Sequence, residues 1–390
     1  MASESGSAAY DVAVVGGSLA GAATAIHLSE AGHSVVLLEQ ARMFKRKACG
    51  EGLFPQGVRE LERLGLLPAV LERSARLQGV RFHAGEALAT AALGESGGIG
   101  VRRESLDPLL LARAEAAGVE VRRGVTVRGL LRAGARLSGV ATDQGDVLAR
   151  VVVGADGLNS RTRRLAGLEG KRRGSRYGIS AHVRLRGDFG PFVDVYFERG
   201  YELYITPVGG REANAALLLG KLAMQQFAGE LRARYELVLR AHAALGEGFE
   251  LLDEPLAAGP FASSCTRPWR ANLVLVGDAA GFFDGISGDG MSLALVSARH
   301  CAGAIHRYLR DAEYEAFREY AGRRSALVRS SNLLARVSLA LGSRPGLARV
   351  AVRNLQRQPR TFEKLVAINS GETGLRSVRP RDLLALATGW

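Results

Sequence analysis

Lysine is nearly missing from this 390-residue chain: only five of its 52 basic Lys+Arg residues are lysines. Cysteine is scarcer still. Cys49, Cys265 and Cys301 are odd in number and far apart, which excludes a disulfide framework and a metal cluster and fits a reducing cytoplasm. Aromatic residues make up 6% of the chain, with tryptophan only at 269 and 390. No apolar run approaches the ~18 residues that a membrane-spanning helix requires. The first nine residues are small and polar, with neither a basic nor an apolar leader segment, so no signal peptide is expected. There is no internal repeat at a fixed period and no low-complexity tract. The formal net charge is +13, yet no zinc-finger spacing and no aromatic RNA-binding strand accompanies it, so nucleic acid is not an expected partner. Residues 299–390 hold 17 Lys+Arg against 7 Asp+Glu. This excess reads first as a solvated basic face, in part an arginine-for-lysine coding preference. Its alternative is a docking surface for anionic lipid, by peripheral contact, or for an acidic carrier protein bearing the substrate.

What is abundant is glycine (49 residues) within a composition that is 47% hydrophobic. That suits an α/β enzyme with close backbone packing and, at ~100–200 residues per domain, two or three packed units. Tyr10–Val15 and Ser34–Glu39 read as buried strands flanking a helix over Ala20–Ala31, and helical spacing returns over Pro55–Leu66 and Arg103–Ala117. Strands are expected at Val119–Arg122 and Arg150–Val153 and again at Asn272–Val276, ahead of a long helix from about Met291. Between Arg172 and Pro260 the pattern turns to β, with runs at Tyr177–Leu185, Phe192–Glu198, Tyr201–Thr206 and Ala213–Leu219. The expected organisation is a discontinuous first domain (1–75, 101–170, 261–310), a β-rich substrate domain (76–100, 171–260) and a basic, helical region (311–390). In the last region Leu327, Leu334, Val337 and Leu341 mark one apolar stripe. After Pro345, Leu347, Val350, Ala351 and Leu355 mark another. Both are expected to pack on the first domain and cap its pocket, with Arg329, Arg336 and Arg353 nearer solvent.

Three motifs follow apolar strands. Gly16-Gly17-Ser18-Leu19-Ala20-Gly21 opens a helix: Gly16 suits a tight turn, the backbone can approach a pyrophosphate, and Gly21 lets helix and strand pack closely. The helix start offers N–H groups and partial positive charge to phosphates. Glu39, at the end of the second strand, can accept from ribose hydroxyls. Ser18 stands where a second glycine is usual. The other two are Gly154-Ala155-Asp156-Gly157 and Gly277-Asp278-Ala279-Ala280-Gly281, the latter continuing through Gly285 to Gly290 and Met291. Each carboxylate sits at a strand's C-terminal end, where α/β sheets bind ligands.

Together these motifs resemble the FAD-dependent oxidoreductases of the p-hydroxybenzoate hydroxylase fold, over about the first 310 residues. The resemblance implies a Rossmann-like FAD-binding domain of α/β class with an inserted β-sheet substrate domain and C-terminal helices. It places Gly16, Gly17, Ser18 and Gly21 at the FAD pyrophosphate, Glu39 at the adenosine ribose and Arg103 at the phosphate–ribityl region. Gly277 and Asp278 fall at the ribityl chain, Asp156 in a mainly structural role, and Gly290 and Met291 where a helix start faces the isoalloxazine. The family often has proline where Gly285 stands. A narrower resemblance lies in Cys49-Gly50-Glu51-Gly52-Leu53 and Tyr201–Pro207, which are similar to flavin-face segments of geranylgeranyl reductases and related tailoring oxygenases. Cys49 and Glu51 are thereby flavin-face candidates. From the residues alone, Cys49 also reads as a small buried hydrophobe and Glu51 as a surface carboxylate.

The function expected is a cytoplasmic FAD monooxygenase, with NADPH or NADH as electron donor. It would hydroxylate or epoxidise an aromatic or lipophilic small molecule through a C4a-peroxyflavin. The alternative is a geranylgeranyl reductase-like enzyme that saturates C=C bonds. Flavin halogenases carry a Trp-x-Trp-x-Ile-Pro segment that this chain lacks. Among the seven histidines only His300 and His306, six apart, approach a metal-ligand spacing, and with no third ligand nearby all read as helix-surface residues.

Overall fold

A computed structural model describes residues 10–171, 176–187, 189–242, 245, 248–261, 263–282, 284–342, 345–374, 377–379 and 382, with the side chains of 287, 330 and 332–345 outside the description. The apolar run Tyr10–Val15 forms β1, which pairs in parallel with β2 (Val35–Glu39) on one side and with the end of β11 (Gly145–Gly154) on the other. β8 (Glu120–Arg123) extends this sheet beyond β2; β19 (Leu273–Leu275) and then β18 (Trp269–Arg270) extend it beyond β11. Its central strands are covered on both faces, which is why they read as unbroken apolar runs rather than alternating ones. On one face lie α1 (Leu19–Glu30), α4 (Arg103–Ala116) and α8 (Gly290–Asp311). On the other, Val127, Leu137 and Val140 of the hairpin β9 (Val127–Ala133) and β10 (Arg136–Thr142) close a second core.

The β-rich segment forms a mostly antiparallel sheet. β12 (Arg176–Leu185), β15 (Glu212–Gly220), β14 (Tyr201–Gly209) and β13 (Phe192–Glu198) run in that order, flanked by the short β16 (Phe249–Leu251) and β17 (Leu256–Ala258). Beyond β13 lies a hairpin from earlier in the chain, β5 (Gly79–Ala84) and β6 (Ala87–Ala92), with β5 parallel to β13. The period-2 alternation of strands gives this sheet two different faces. Ile179, Ala215 and Leu217 pack with Tyr235 and Leu239 of α7 (Leu231–Ala241), while α6 (Lys221–Gln225) lies nearby. Val80, Val193, Val195, Tyr204 and Leu218 point the other way. A small sheet of β3 (Gly52–Leu53), β7 (Gly98–Val101) and β4 (Ser74–Leu77) joins the two parts, with α2 (Pro55–Arg63) and α3 (Leu67–Leu71) beside it. At that junction a Cβ on Gly100 would lie 1.8 Å from the carbonyl oxygen of Pro207, so only glycine permits this approach.

α9 (Glu315–Gly342) begins on the first sheet, where Tyr320 donates to the Leu275 carbonyl at 2.8 Å. α10 (Pro345–Arg357) and α11 (Pro359–Asn369) do not pack on the first domain as expected. They cover the inserted sheet, and the buried stripe of α10 is Ala348, Val352 and Leu355, while Leu347 and Val350 are about half exposed. A helix wedged between a sheet and a cavity buries two flanks, so the single stripe read from the sequence is rotated by about one residue. Ala351 faces the cavity. Arg329 and Arg353 are exposed, Leu327 is half-buried, and the side chains of Leu334, Arg336, Val337, Leu341 and Pro345, like all of Trp390, lie outside the described residues. Among the described residues no helix is long and apolar enough to cross a membrane.

Candidate functional site

The glycine motif sits between β1 and α1. Gly16 has φ +104°, and a Cβ there would meet the Ala155 carbonyl at 2.6 Å. A Cβ on Gly21 would lie 1.8 Å from the Gly16 carbonyl oxygen, so Gly21 sets how closely α1 approaches the strand, and it is the one motif residue behind the cavity wall rather than on it. No side chain caps the start of α1 at Ser18. Its amide end faces the cavity lined by Gly16, Gly17, Ser18 and Leu19, an arrangement suited to a phosphate. Glu39 is fixed by two backbone donors, the Gly17 N–H to Oε2 at 2.7 Å and the Ala41 N–H to Oε1 at 2.8 Å. The uncapped helix start, the glycine cradle and the oriented carboxylate fit the ADP half of FAD.

Ser18 does more than replace a glycine. Its hydroxyl donates to Asp107 Oδ2 at 2.9 Å and accepts from Arg103 at 2.5 Å. Arg103 in turn binds Asp107 through Nε and a terminal nitrogen, both at 2.8 Å. Burial alone would raise the Asp107 carboxyl, but Arg103 outweighs it and holds the group below the ordinary carboxylate value. The same pair keeps the buried Arg103 guanidinium charged beside the cavity. The i,i+4 spacing of Arg103 and Asp107 is the signal for this pair in the sequence.

Asp156 spends both oxygens on the chain, accepting from Ser160 Oγ at 2.5 Å and from the Thr162 N–H at 2.9 Å at the start of α5 (Arg161–Leu165). Gly277, with φ +59°, and Asp278 line the cavity, as do Gly290 and Met291 at the start of α8. Burial pushes the Asp278 carboxyl up, with Arg103 pulling against it. The loop before α8 is held from both sides. Asp284 caps a short 3-10 turn by accepting from the Ile286 N–H at 3.0 Å, and Tyr204 donates to the Ile286 carbonyl at 2.7 Å. These bonds shape the loop at Gly285 without a proline. Asp289 is fully buried and accepts from Gln56 at 3.0 Å, and burial pushes its carboxyl up to about 8.

Cys49, Gly50, Glu51 and Gly52 all line the same cavity. Burial pushes the Cys49 thiol up from its ordinary value, so it is not a thiolate at neutral pH. Glu51 is no surface carboxylate: its side chain is 4% exposed. Its φ of +58° costs an L-residue about 1–2 kcal/mol and is held by three bonds around the turn. The Val101 N–H donates to its carbonyl at 3.0 Å, the Arg103 N–H to Oε1 at 2.8 Å, and Oε2 lies 2.6 Å from His182 Nε2. His182 Nδ1 lies 2.6 Å from Asp253 Oδ2. Burial alone would lower the His182 pKa, but Asp253 and Glu51 raise it to about 9, so the ring is an imidazolium at neutral pH. Reading the histidines as helix-surface residues fails here: His182 lies inside β12 and His83 inside β5. Nothing in the sequence links Glu51, His182 and Asp253, because the fold alone brings together a turn, a strand and a loop.

Another part of the cavity wall, the chamber, is formed by Phe82, Leu218, Phe261, Phe282, Leu355 and Phe362. Cradle and chamber form one continuous space of about 1630 Å³. A single small-ligand site occupies ~300–1,000 Å³, so this cavity has room for a dinucleotide and a second molecule.

Residues 9–332 match the family described as FAD binding domain. Over 306 residues the chain is 29% identical to digeranylgeranylglycerophospholipid reductase 2 of Methanopyrus kandleri, covering 74% of this chain and 75% of that protein. Over 318 residues it is 29% identical to menaquinone reductase of Mycolicibacterium smegmatis, covering 75% of each. Among solved structures, a flavoprotein/dehydrogenase from Cytophaga hutchinsonii superposes with a TM-score of 0.81 at 19% identity over 93% of each chain, a likeness of fold alone.

Proposed function

The chain belongs to the FAD binding domain family and is an FAD-dependent oxidoreductase of the p-hydroxybenzoate hydroxylase fold, and from that premise we propose that it is a monooxygenase acting on a lipophilic small molecule that contains a ring. The observation that carries this reading is the chamber. Its walls are apolar and rich in aromatic rings, with Phe261 and Phe282 edge to face at 5.5 Å and Phe82 against Phe362 at 4.7 Å. Such walls exclude water and offer ring faces to a planar substrate. Bound and reduced, FAD supplies the electrons and activates oxygen, while the protein supplies orientation, dryness and proton handling. Gly16–Leu19, Glu39 and Arg103 would hold its ADP and phosphate groups, and Asp278 and the start of α8 the remainder. NADPH or NADH is the proposed electron donor, tested by bleaching of the bound flavin under anaerobic conditions.

A second reading is hydrogenation of C=C bonds in a prenyl chain. The position of Cys49-Gly50-Glu51-Gly52 on the cavity wall favours it, as do two relatives that are reductases by name. Against it stands the Tyr204–Pro207 stretch, which resembles that branch's segment but has Ile205 and Thr206 where the branch carries a tryptophan or phenylalanine. Turnover under isotopically labelled O2 with candidate lipophilic phenols, quinones and prenyl lipids decides. Label in the product establishes oxygenation. An unlabelled product two hydrogens heavier, formed equally well without O2, replaces it with the reductase reading.

A further inference from the structure

Glu51 meets two different structures with its two carboxylate oxygens. Oε1 takes the Arg103 N–H at the start of α4, a bond within the cradle. Oε2 meets His182, and the contact continues through the ring to Asp253. Both links are 2.6 Å, and the backbone N–H of His182 adds a third bond to Asp253 Oδ1 at 3.0 Å that fixes the carboxylate against the strand. Asp253 Oδ2 ends 2.9 Å from Arg46. Side-chain exposure rises along this line: 4% at Glu51, 5% at His182, 17% at Asp253 and 25% at Arg46. One end therefore forms the wall of the cavity and the other reaches water, with no exposed group between them.

We propose that Glu51, His182 and Asp253 are a proton line that connects solvent to the flavin end of the cavity. It rests on the FAD reading of that cavity and on neither choice of substrate reaction, since oxygenation and hydrogenation both need protons in a space that excludes water. The step balances without any redox change. From the resting pair, the His182 imidazolium gives its Nε2 proton to the Glu51 carboxylate, and Glu51 gives that proton on into the cavity. The neutral ring keeps its Nδ1 proton, turns about Cα–Cβ and Cβ–Cγ so that the bare Nε2 reaches the solvent side at Asp253, takes a new proton there and turns back. One proton enters at Asp253 for each one that leaves at Glu51. Both ring nitrogens face carboxylates, so the resting imidazolium donates to each of them. The charged and titratable groups that face the line are Arg46, Lys47 and Cys49 from the preceding loop, and Arg102, Arg103 and Glu104 around the start of α4. Of these, Arg102 works against the charge on the ring, and Asp253 and Glu51 outweigh it.

The test uses the FAD-loaded protein and needs no substrate. The midpoint potential of bound FAD is measured against pH for the wild type, Glu51→Gln, His182→Asn and Asp253→Asn. Adding electrons to FAD raises the proton affinity of an adjacent acid, so the wild-type plot should break within the titration range of the line. The break should vanish in Glu51→Gln and His182→Asn, and move down by ~1 pH unit or more in Asp253→Asn as the ring loses one of its two carboxylates. Nitrogen NMR of the His182 ring should show both nitrogens protonated at neutral pH. A neutral ring, or superimposable potential curves in all four proteins, overturns the proposal and leaves an ordinary buried ion pair. Should either of the first two variants fail to hold FAD, Asp253→Asn, which lies outside the cavity, still reads the break. A negative labelled-oxygen result would leave these curves unchanged, so the two conclusions fail separately.

Discussion

The cradle and the chamber share one cavity but are built from different parts of the polypeptide. The cradle is made largely of backbone: a positive-φ glycine, a Cβ-free contact between Gly21 and Gly16, an uncapped helix start and a carboxylate locked by two N–H groups. The chamber is made of side chains projecting from one face of a sheet, from two later helices and from the loops that hold Phe261 and Phe282. Backbone sites tolerate almost no change, because a new Cβ has nowhere to go. Side-chain walls can be repacked at modest cost, so shape and specificity can drift while the cofactor stays.

The contrast can be broken most severely at Gly21. Gly21→Val forces a side chain into the Gly16 carbonyl, and we expect loss of ~3 kcal/mol or more together with loss of FAD. Denaturant titration and the flavin absorbance of the purified protein measure both, and a yellow, fully stable variant would refute the account. Glu39→Ala should be milder. It removes a carboxylate that two backbone donors and a ribose would share, so FAD affinity should drop by ~1–3 kcal/mol in a flavin-release titration; unchanged affinity would remove Glu39 from the site. His182 lies behind Glu51, off the cavity wall, and its effect depends on pH. Its folded pKa of about 9 lies above the unfolded value near 6.5. Its contribution is therefore complete below pH ~6.5 and fades as pH rises through 9. The stability gap between wild type and His182→Asn should narrow over that window, and a gap that widens would reverse the sign of the argued charge. The smallest effect on the cofactor should come from the chamber. Ala351→Phe should leave FAD affinity within ~0.5 kcal/mol of wild type while raising KM for a bulky substrate by ~10-fold or more. A yellow protein with unaltered KM would mean that α10 does not wall the substrate site.

The same division explains what the sequence discloses. Gly16, Gly21 and Glu39 are legible because only certain residues fit their backbone environments and because their order along the chain repeats their order in space. The four strands from 176 to 220 are legible because Gly, Pro and Asp punctuate apolar runs. The strand Ala87–Ala92 gives almost no signal, since four of its six residues are alanine, and only pairing with β5 makes it a strand. The α10 stripe is misplaced because a sheet and a cavity compete for that helix. Glu51, His182 and Asp253 come together only through tertiary structure, from a strained turn, a strand and a loop that no periodicity connects.

The order of strands in the first sheet also sets a timetable. β1 needs the far end of β11, with Tyr10 opposite Ala149, and β11 must then wait for β19, with Val152 opposite Leu273. The whole second sheet apart from its β5–β6 hairpin is synthesised between those two events. Joining strands so distant along the chain makes folding slow, because loop closure must precede the contacts that reward it. During translation β1 and β2 leave the ribosome early with their outer edges unsatisfied, and an unpaired parallel edge is a template for misassociation. The sheet that carries the glycine motif is thus among the first parts of the molecule to be made and among the last to be finished.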